Sequence, residues 1–330
     1  MSGAVLITGA AGFIGRHLVE RQLALGRRVR ALDLHAPAVA PPRDGRLEVV
    51  LGDVADPAVQ ARAVDGVDFV FHLASAHLAV RLPEATYWRV NVHCLPGLLE
   101  RSRRAGVKRF VHVSTVGVFG SITGSPADES QACHPELIYE RTKYEGELLV
   151  RRVAGATGFP VVVVRPAWVY GPGCPRTRKL FTAVRTGRFV FVGKGGTLRH
   201  CLYIEDLLDG LELCATKDVA IGRVYILADA APVTLEALIA EIARTLGVPP
   251  PRRHLPVAVM AAAGRLAELA FRPLGKEPPV SSRTLRFFTG NTAFDTSRAR
   301  AELGFSARYD VPAGLRAYAA SLAAADGGPG

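Results

Sequence analysis

Ala4-Val5-Leu6-Ile7-Thr8-Gly9-Ala10-Ala11-Gly12-Phe13-Ile14-Gly15 decides the fold of this chain. A short, continuous apolar run predicts a strand buried on both faces. The glycines follow at G-x-x-G-x-x-G spacing, and a helical pattern then continues through Leu25. Gly9 permits a tight turn, Gly12 lets bare backbone approach a pyrophosphate, and Gly15 lets the helix pack closely on the strand. The start of that helix presents Phe13, Ile14 and Gly15 with free N–H groups and a positive dipole end, which suits phosphate. Asp33 ends the next apolar run, 18 residues after Gly15. A carboxylate there accepts hydrogen bonds from ribose hydroxyls and repels a 2′-phosphate. No arginine immediately follows it, so the expected cofactor is NAD rather than NADP.

Outward from this unit the pattern repeats. Apolar runs at 29–32, 47–51, 69–73, 110–113 and 161–164 alternate with helix-length segments. Right-handed crossovers turn such an alternation into an α/β, doubly wound parallel sheet of the Rossmann type. After about Arg165 the rhythm changes, with Gly171-Pro172-Gly173 and Gly193-Lys194-Gly195-Gly196 interrupting it. The expected organisation is a dinucleotide-binding domain over 1–170, with 200–227 returning to it. Residues 171–199 and 228–330 would form a smaller, interleaved substrate domain.

Composition narrows the function. The net charge is +11, but with only six lysines among 41 basic residues the charge is arginine spread along the chain, not a nucleic-acid-binding block. The five cysteines, Cys94, Cys133, Cys174, Cys201 and Cys214, have irregular gaps and no CxxC, which argues against a disulfide framework or a zinc site. The N-terminus lacks a signal-peptide pattern, and no apolar run approaches the length of an integral membrane helix. The expectation is a cytoplasmic protein with a small-molecule substrate and no metal.

Tyr139-Glu140-Arg141-Thr142-Lys143 places a phenol and an ammonium four residues apart, on one face of a predicted helix. A free phenol has a pKa of about 10, and a neighbouring cation lowers it. Thr115, just beyond the strand at 110–113, stands at the carboxyl edge where such sheets bind ligands. It can hold a substrate oxygen against Tyr139 for general acid–base chemistry.

These stretches together resemble the extended short-chain dehydrogenase/reductase family, the group of nucleotide-sugar epimerases and dehydratases. The resemblance runs through Gly52-Asp53-Val54, His72-Leu73-Ala74-Ser75, Asn91-Val92, Val113-Ser114-Thr115, Arg165-Pro166-Ala167-Trp168-Val169-Tyr170-Gly171-Pro172 and Tyr203-Ile204-Glu205-Asp206. Phe294-Asp295-Thr296-Ser297 and Glu302-Leu303-Gly304-Phe305 close it. It implies a catalytic set of Thr115, Tyr139 and Lys143. Asp53 and Val54 would contact the adenine end, Leu73, Ala74 and Ser75 the phosphate and ribose region, and Pro166 to Val169 the nicotinamide. Ser75, Trp168 and Arg199 would face the substrate, and a homodimer would form through helices around 84–103 and 136–152.

The subgroup stays open. Trp168 stands where nucleotide-sugar enzymes usually carry Asn, and their late Arg-Pro-Gly-Asp segment is missing between Arg272 and Asp295. Arg199, in contrast, sits where those enzymes clamp a phosphate. Arg165-Pro166 and the apolar stretch from Val257 through Phe271 look more like 3β-hydroxysteroid dehydrogenases and dihydroflavonol-type reductases. Three readings follow: a dehydrogenase or reductase of a bulky alcohol or ketone, a nucleotide-sugar epimerase or dehydratase, and a catalytically silent dinucleotide sensor.

Overall fold

The computed structural model describes residues 3–77, 82–122, 126–271 and 282–326. Seven strands form its central sheet: β1 Val5–Thr8, β2 Val29–Asp33, β3 Leu47–Leu51, β4 Phe69–His72, β5 Arg109–Val113, β6 Val161–Pro166 and β7 Val224–Leu227. All pair in parallel, in the order β7-β6-β5-β4-β1-β2-β3. This is a Rossmann-like α/β sheet. The chain winds from β1 out to β3, then returns to place β4 on the other side of β1. The crevice between the ends of β1 and β4, where Thr8 pairs with His72, is therefore the switch point at which such sheets bind ligands.

Strand periodicity divides the apolar residues between two cores. Val5, Ile7, Ala31, Phe71, Val111, Val162 and Val164 pack on one face beneath α1, Phe13–Ala24. Leu6, Leu32, Val70, Phe110, Val161 and Val163 pack on the other, beneath α2, Pro57–Val64. On that second face α3, Glu84–Trp88, runs through a π-turn, Arg89–His93, into α4, Leu95–Arg104. The long helix α5, Ile138–Thr157, lies beside α4. Each fully buried aliphatic side chain here contributes about 1.5–3 kcal/mol, which explains why the strand runs carry no polar alternation.

Beyond β6 the chain builds α6, Pro175–Arg185, α7, Ile204–Thr216, and α8, Leu235–Leu246. Short two-stranded pairings stitch this region together: Trp168–Tyr170 with Cys201–Tyr203, Leu198–Arg199 with Val233–Thr234, and Phe191–Val192 with His254–Leu255. Charge ties α7 to α1, since Arg21 pairs with Glu205 and Asp209 while Arg27 pairs with Glu212. The apolar stretch Val257–Phe271 forms α9, with Val257, Val259 and Leu266 exposed, and Ser282–Thr289 forms α10. Residues 272–281, part of the interval that lacks Arg-Pro-Gly-Asp, lie outside the described residues. Among the described residues no helix is long and apolar enough to cross a membrane.

Candidate active site

The glycine turn links β1 to α1. Gly9 has φ of +72°, and a Cβ there would lie 2.7 Å from the Ala74 nitrogen. A Cβ on Gly15 would lie 2.0 Å from the Gly9 carbonyl oxygen. Turn, helix and the loop after β4 thus meet backbone to backbone. The N-cap of α1 is Gly12, which has no side chain to satisfy the first N–H groups of the helix. A bare turn with open amides at a sheet's switch point fits a dinucleotide pyrophosphate.

Asp33 ends β2 with its carboxylate already oriented. Oδ2 accepts from the Ala11 N–H at 2.9 Å, and Oδ1 accepts from the Leu34 N–H at 2.7 Å. Asp53 accepts from the Ala55 N–H at 2.8 Å and pairs with Arg89 at 2.5 Å. Burial raises the Asp53 pKa, but those two partners overbalance it and the net shift is downward. The Val54 side chain is buried in the second core, and its carbonyl accepts from Gln60 Nε2 at 2.8 Å.

The loop after β4 is held by Thr8 and Asn91, both of which lie in stretches that carry the resemblance, where neither is assigned a role. Thr8 Oγ1 accepts from the Ala74 N–H at 3.2 Å and lies 2.9 Å from His72 Nδ1. Burial pulls the His72 pKa down to about 3, so its imidazole is neutral. Asn91, on the π-turn, accepts from the Ala76 N–H at 2.8 Å and the Ser75 hydroxyl at 3.0 Å. Its amide donates to Thr142 on α5 at 2.9 Å. One asparagine therefore fixes the loop at Leu73, Ala74 and Ser75 against the helix that carries Tyr139 and Lys143. An amide between Val90 and Val92 in a helical pattern was the available signal. π-Turns of this kind concentrate at functional sites.

The N-terminus of α5 is set by Glu140, which reaches back to accept from the N–H groups of Glu136 and Leu137 at 3.1 and 3.0 Å. Tyr139 sits in its first turn, half-buried, and shares a hydrogen bond with the Thr115 side chain. Thr115 Oγ1 also accepts from the Gly117 N–H at 3.0 Å. Lys143, one turn on and buried, donates from Nζ to the Val113 carbonyl at 2.6 Å. Burial pulls its ammonium down to about 8. The structure thus brings Thr115, Tyr139 and Lys143 together at the carboxyl end of β5.

One expectation changes. Burial pushes the Tyr139 phenol up to about 12, and the cation that acts to lower it is Arg176, not Lys143. The reason is geometric: Lys143 turns its ammonium toward the Val113 carbonyl. Arg176 Nη2 lies 3.3 Å from His77 Nε2, and the His77 ring packs edge-on to Tyr139 with centroids 4.7 Å apart.

Arg199 is buried beside Trp168. It is only 4% exposed and donates from Nη1 to the carbonyls of Leu198 and Gly290 at 2.7 and 2.6 Å. Its guanidinium lies 5.0 Å from the Phe287 ring centre, and Trp168 packs edge-on to the same ring at 6.1 Å. Burial lowers its pKa to about 10. Pro166, buried at the end of β6, and half-buried Val169 continue the wall toward Trp168.

Residues 5–228 match the model of the NAD dependent epimerase/dehydratase family. The chain belongs to that family, as an NAD-dependent enzyme of the short-chain dehydrogenase/reductase kind. It is 28% identical to 3β-hydroxysteroid dehydrogenase/decarboxylase isoform 1 of Arabidopsis thaliana, over 94% of this chain and 77% of the plant protein. It is 30% identical to the 4-hydroxy-2-methyl-3-oxo-4-farnesyl-3,4-dihydroquinoline-1-oxide ketoreductase of Stigmatella aurantiaca, over 94% of both chains. Among solved structures, MoeE5 in complex with UDP-glucose and NAD superposes with a TM-score of 0.78 at 27% identity, covering 98% of this chain and 99% of that one.

NAD is the cofactor, and the oriented Asp33 carboxylate predicts how the chain chooses it. Asp33→Ser should weaken NAD binding by about 10- to 100-fold, the size of a lost charged hydrogen bond, and narrow the gap to NADP. Titration of both dinucleotides against both proteins checks this. Equal or tighter NADP binding by the wild type would contradict it.

Proposed function

We propose that this enzyme is an NAD-dependent dehydrogenase or ketoreductase acting at a secondary alcohol or ketone of a bulky, largely apolar molecule. The Trp168–Phe287–Arg199 stack carries this reading. A pyrophosphate needs a cation presented to it, whereas Arg199 turns Nη1 to two backbone carbonyls and lies on Phe287. A uracil-type base needs polar edges, whereas an indole offers a flat apolar face and one donor. The hydroxysteroid and farnesyl-quinoline substrates in the names of the two relatives belong to the same class of molecule.

In this reading the turn from Gly9 to Gly15, Asp33, Asp53 and Lys143 hold NAD, and Leu73, Ala74, Ser75, Pro166 and Val169 line its path. Bound NAD supplies hydride exchange. Thr115 holds the substrate oxygen against Tyr139. The phenol, kept protonated by burial, gives its proton to that oxygen in reduction and takes it back in oxidation. Trp168 packs against the apolar body of the substrate.

A nucleotide-sugar epimerase is the second reading, favoured by one observation. Arg199 Nε and Nη2 are buried without a partner among the described residues. Orphaned buried donors cost about 1–3 kcal/mol each, and a phosphate would satisfy both. Calorimetry with UDP and other nucleoside diphosphates separates the two. The expected Kd is weaker than about 100 μM, or roughly 5.5 kcal/mol. Micromolar binding abolished by Arg199→Ala would make the epimerase reading the better one.

A further inference from the structure

We propose that Arg286, on α10, is a positioning residue that holds Thr115 and Tyr139 in register by gripping Glu140 and Glu136, the carboxylates that fix the segments carrying them. This rests on the reading of Tyr139 as the acid and base.

Glu140 follows Tyr139 in the first turn of α5 and is buried. Its Oε2 accepts the N–H groups of Glu136 and Leu137 that open the helix. A buried carboxylate also needs a cation. The Arg286 guanidinium supplies it, with Nη2 3.2 Å from Oε1 and Nη1 3.4 Å from Oε2. Nη1 also lies 3.5 Å from Glu136 Oε2. The other Glu136 oxygen accepts the Ser121 N–H at 3.0 Å and the Ser121 hydroxyl at 2.6 Å. Ser121 lies just beyond the 3₁₀ turn, Val116–Phe119, that Thr115 caps. One guanidinium thus ties the start of the catalytic helix to the loop that carries Thr115.

Packing transmits the grip. A Cβ on Gly117 would lie 3.2 Å from Glu140 Cγ and 3.3 Å from Thr115 Oγ1, so the Glu140 stem and the Thr115 hydroxyl lie against the same glycine. Charge adds to it. After burial, the carboxylate of Glu140 is what raises the Tyr139 pKa, and a cation on that carboxylate offsets part of the effect. The Arg286 side chain is 30% exposed, and ion pairs with such exposure add little to global stability. Its contribution is therefore to geometry, where a displacement of about 1 Å lowers a rate on the order of 10²-fold. Phe287 lies about 100° further round α10 and meets Trp168 and Arg199 instead. Neighbouring residues of one helix thus serve the catalytic pair and the substrate wall separately.

The test compares wild type, Arg286→Met, Arg286→Lys and Phe287→Ala, all NAD-loaded. Turnover is followed as NADH formation from dehydroepiandrosterone, 2-decanol and 1-phenylethanol. Arg286→Met should lower kcat by about 10- to 100-fold, while KM and the Kd of NAD change by less than about threefold. Arg286→Lys should recover part of the loss, because an ammonium still reaches a carboxylate as a point charge. Phe287→Ala should act mainly in KM. Hydrogen exchange at the amides of Gly117, Ser121, Glu136 and Leu137 should quicken in Arg286→Met by at least about threefold, as local opening becomes easier, with β1 and α1 unchanged. A kcat within about threefold of wild type, a loss seen in KM alone, or no recovery in Arg286→Lys would overturn the proposal. The exchange measurement needs no substrate, so unchanged exchange overturns it even where none of the three alcohols reacts. Tyr139→Phe is the separate control. Full turnover there would remove the acid–base reading itself, whereas an inactive Tyr139→Phe beside an unimpaired Arg286→Met would remove only the role of Arg286.

Discussion

Tyr139→Phe should lower turnover by about 10²- to 10⁴-fold, the range that positioned general acid–base groups supply, while leaving NAD affinity nearly unchanged. The substitution removes one oxygen. The ring can keep its edge contact with His77, and Thr115 keeps the Gly117 N–H as a partner. Lys143 stays bonded to the Val113 carbonyl. Pre-steady-state NADH binding and steady-state turnover, measured on the same preparation, separate the two effects. The wild-type pH dependence carries a second signature. Burial holds the phenol near 12, so at neutral pH it is an acid waiting to donate. Ketone reduction should therefore show no Tyr139 limb across the neutral range. Alcohol oxidation, which needs the phenolate, should climb with rising pH until that pKa is approached. Turnover above about a tenth of wild type in Tyr139→Phe would remove this residue from the proton-transfer step.

The strands and the dinucleotide turn were legible because their physics is local. Val5–Thr8 is apolar on both faces, Gly9, Gly12 and Gly15 sit at contact points fixed by a few neighbouring residues, and Tyr139 and Lys143 are one helical turn apart. What escaped depends on contacts between distant segments. Asn91 joins the loop at Ser75 to Thr142 across 51 residues of sequence. Arg176 meets His77 across 99 residues, and nothing in its own helix marks it apart from Arg178 or Arg185. Arg199 sits in an equally non-local environment. Its position in the sequence was informative, but its orientation is set by Phe287 and by the Gly290 carbonyl, about 90 residues downstream.

Glu147→Leu should destabilise the protein by about 3–5 kcal/mol, the cost of stranding one member of a buried ion pair. Glu147 lies on α5, fully buried, and accepts two hydrogen bonds from Arg165 on β6, at 2.6 and 3.0 Å. The same guanidinium sits 4.9 Å from the Phe119 ring centre. With the carboxylate gone, Arg165 remains charged among apolar neighbours, and a loss of this size is a large share of the 5–15 kcal/mol that holds a typical domain folded. The double variant Glu147→Leu with Arg165→Met should recover most of the loss, because two apolar side chains of similar volume can replace a buried pair at little cost. Urea unfolding of the wild type, both single variants and the double closes the thermodynamic cycle. Additive losses in the double variant would mean that the pair is not coupled. The pair also reaches the chemistry. Glu147 stands one turn beyond Lys143 and helps to hold the proton on its ammonium, against the burial that pulls it toward about 8. The double variant should therefore fold well yet lose activity at a lower pH than the wild type, since Lys143 gives up its proton sooner. A wild-type pH profile in a stable double variant would confine Glu147 to holding α5 on the sheet.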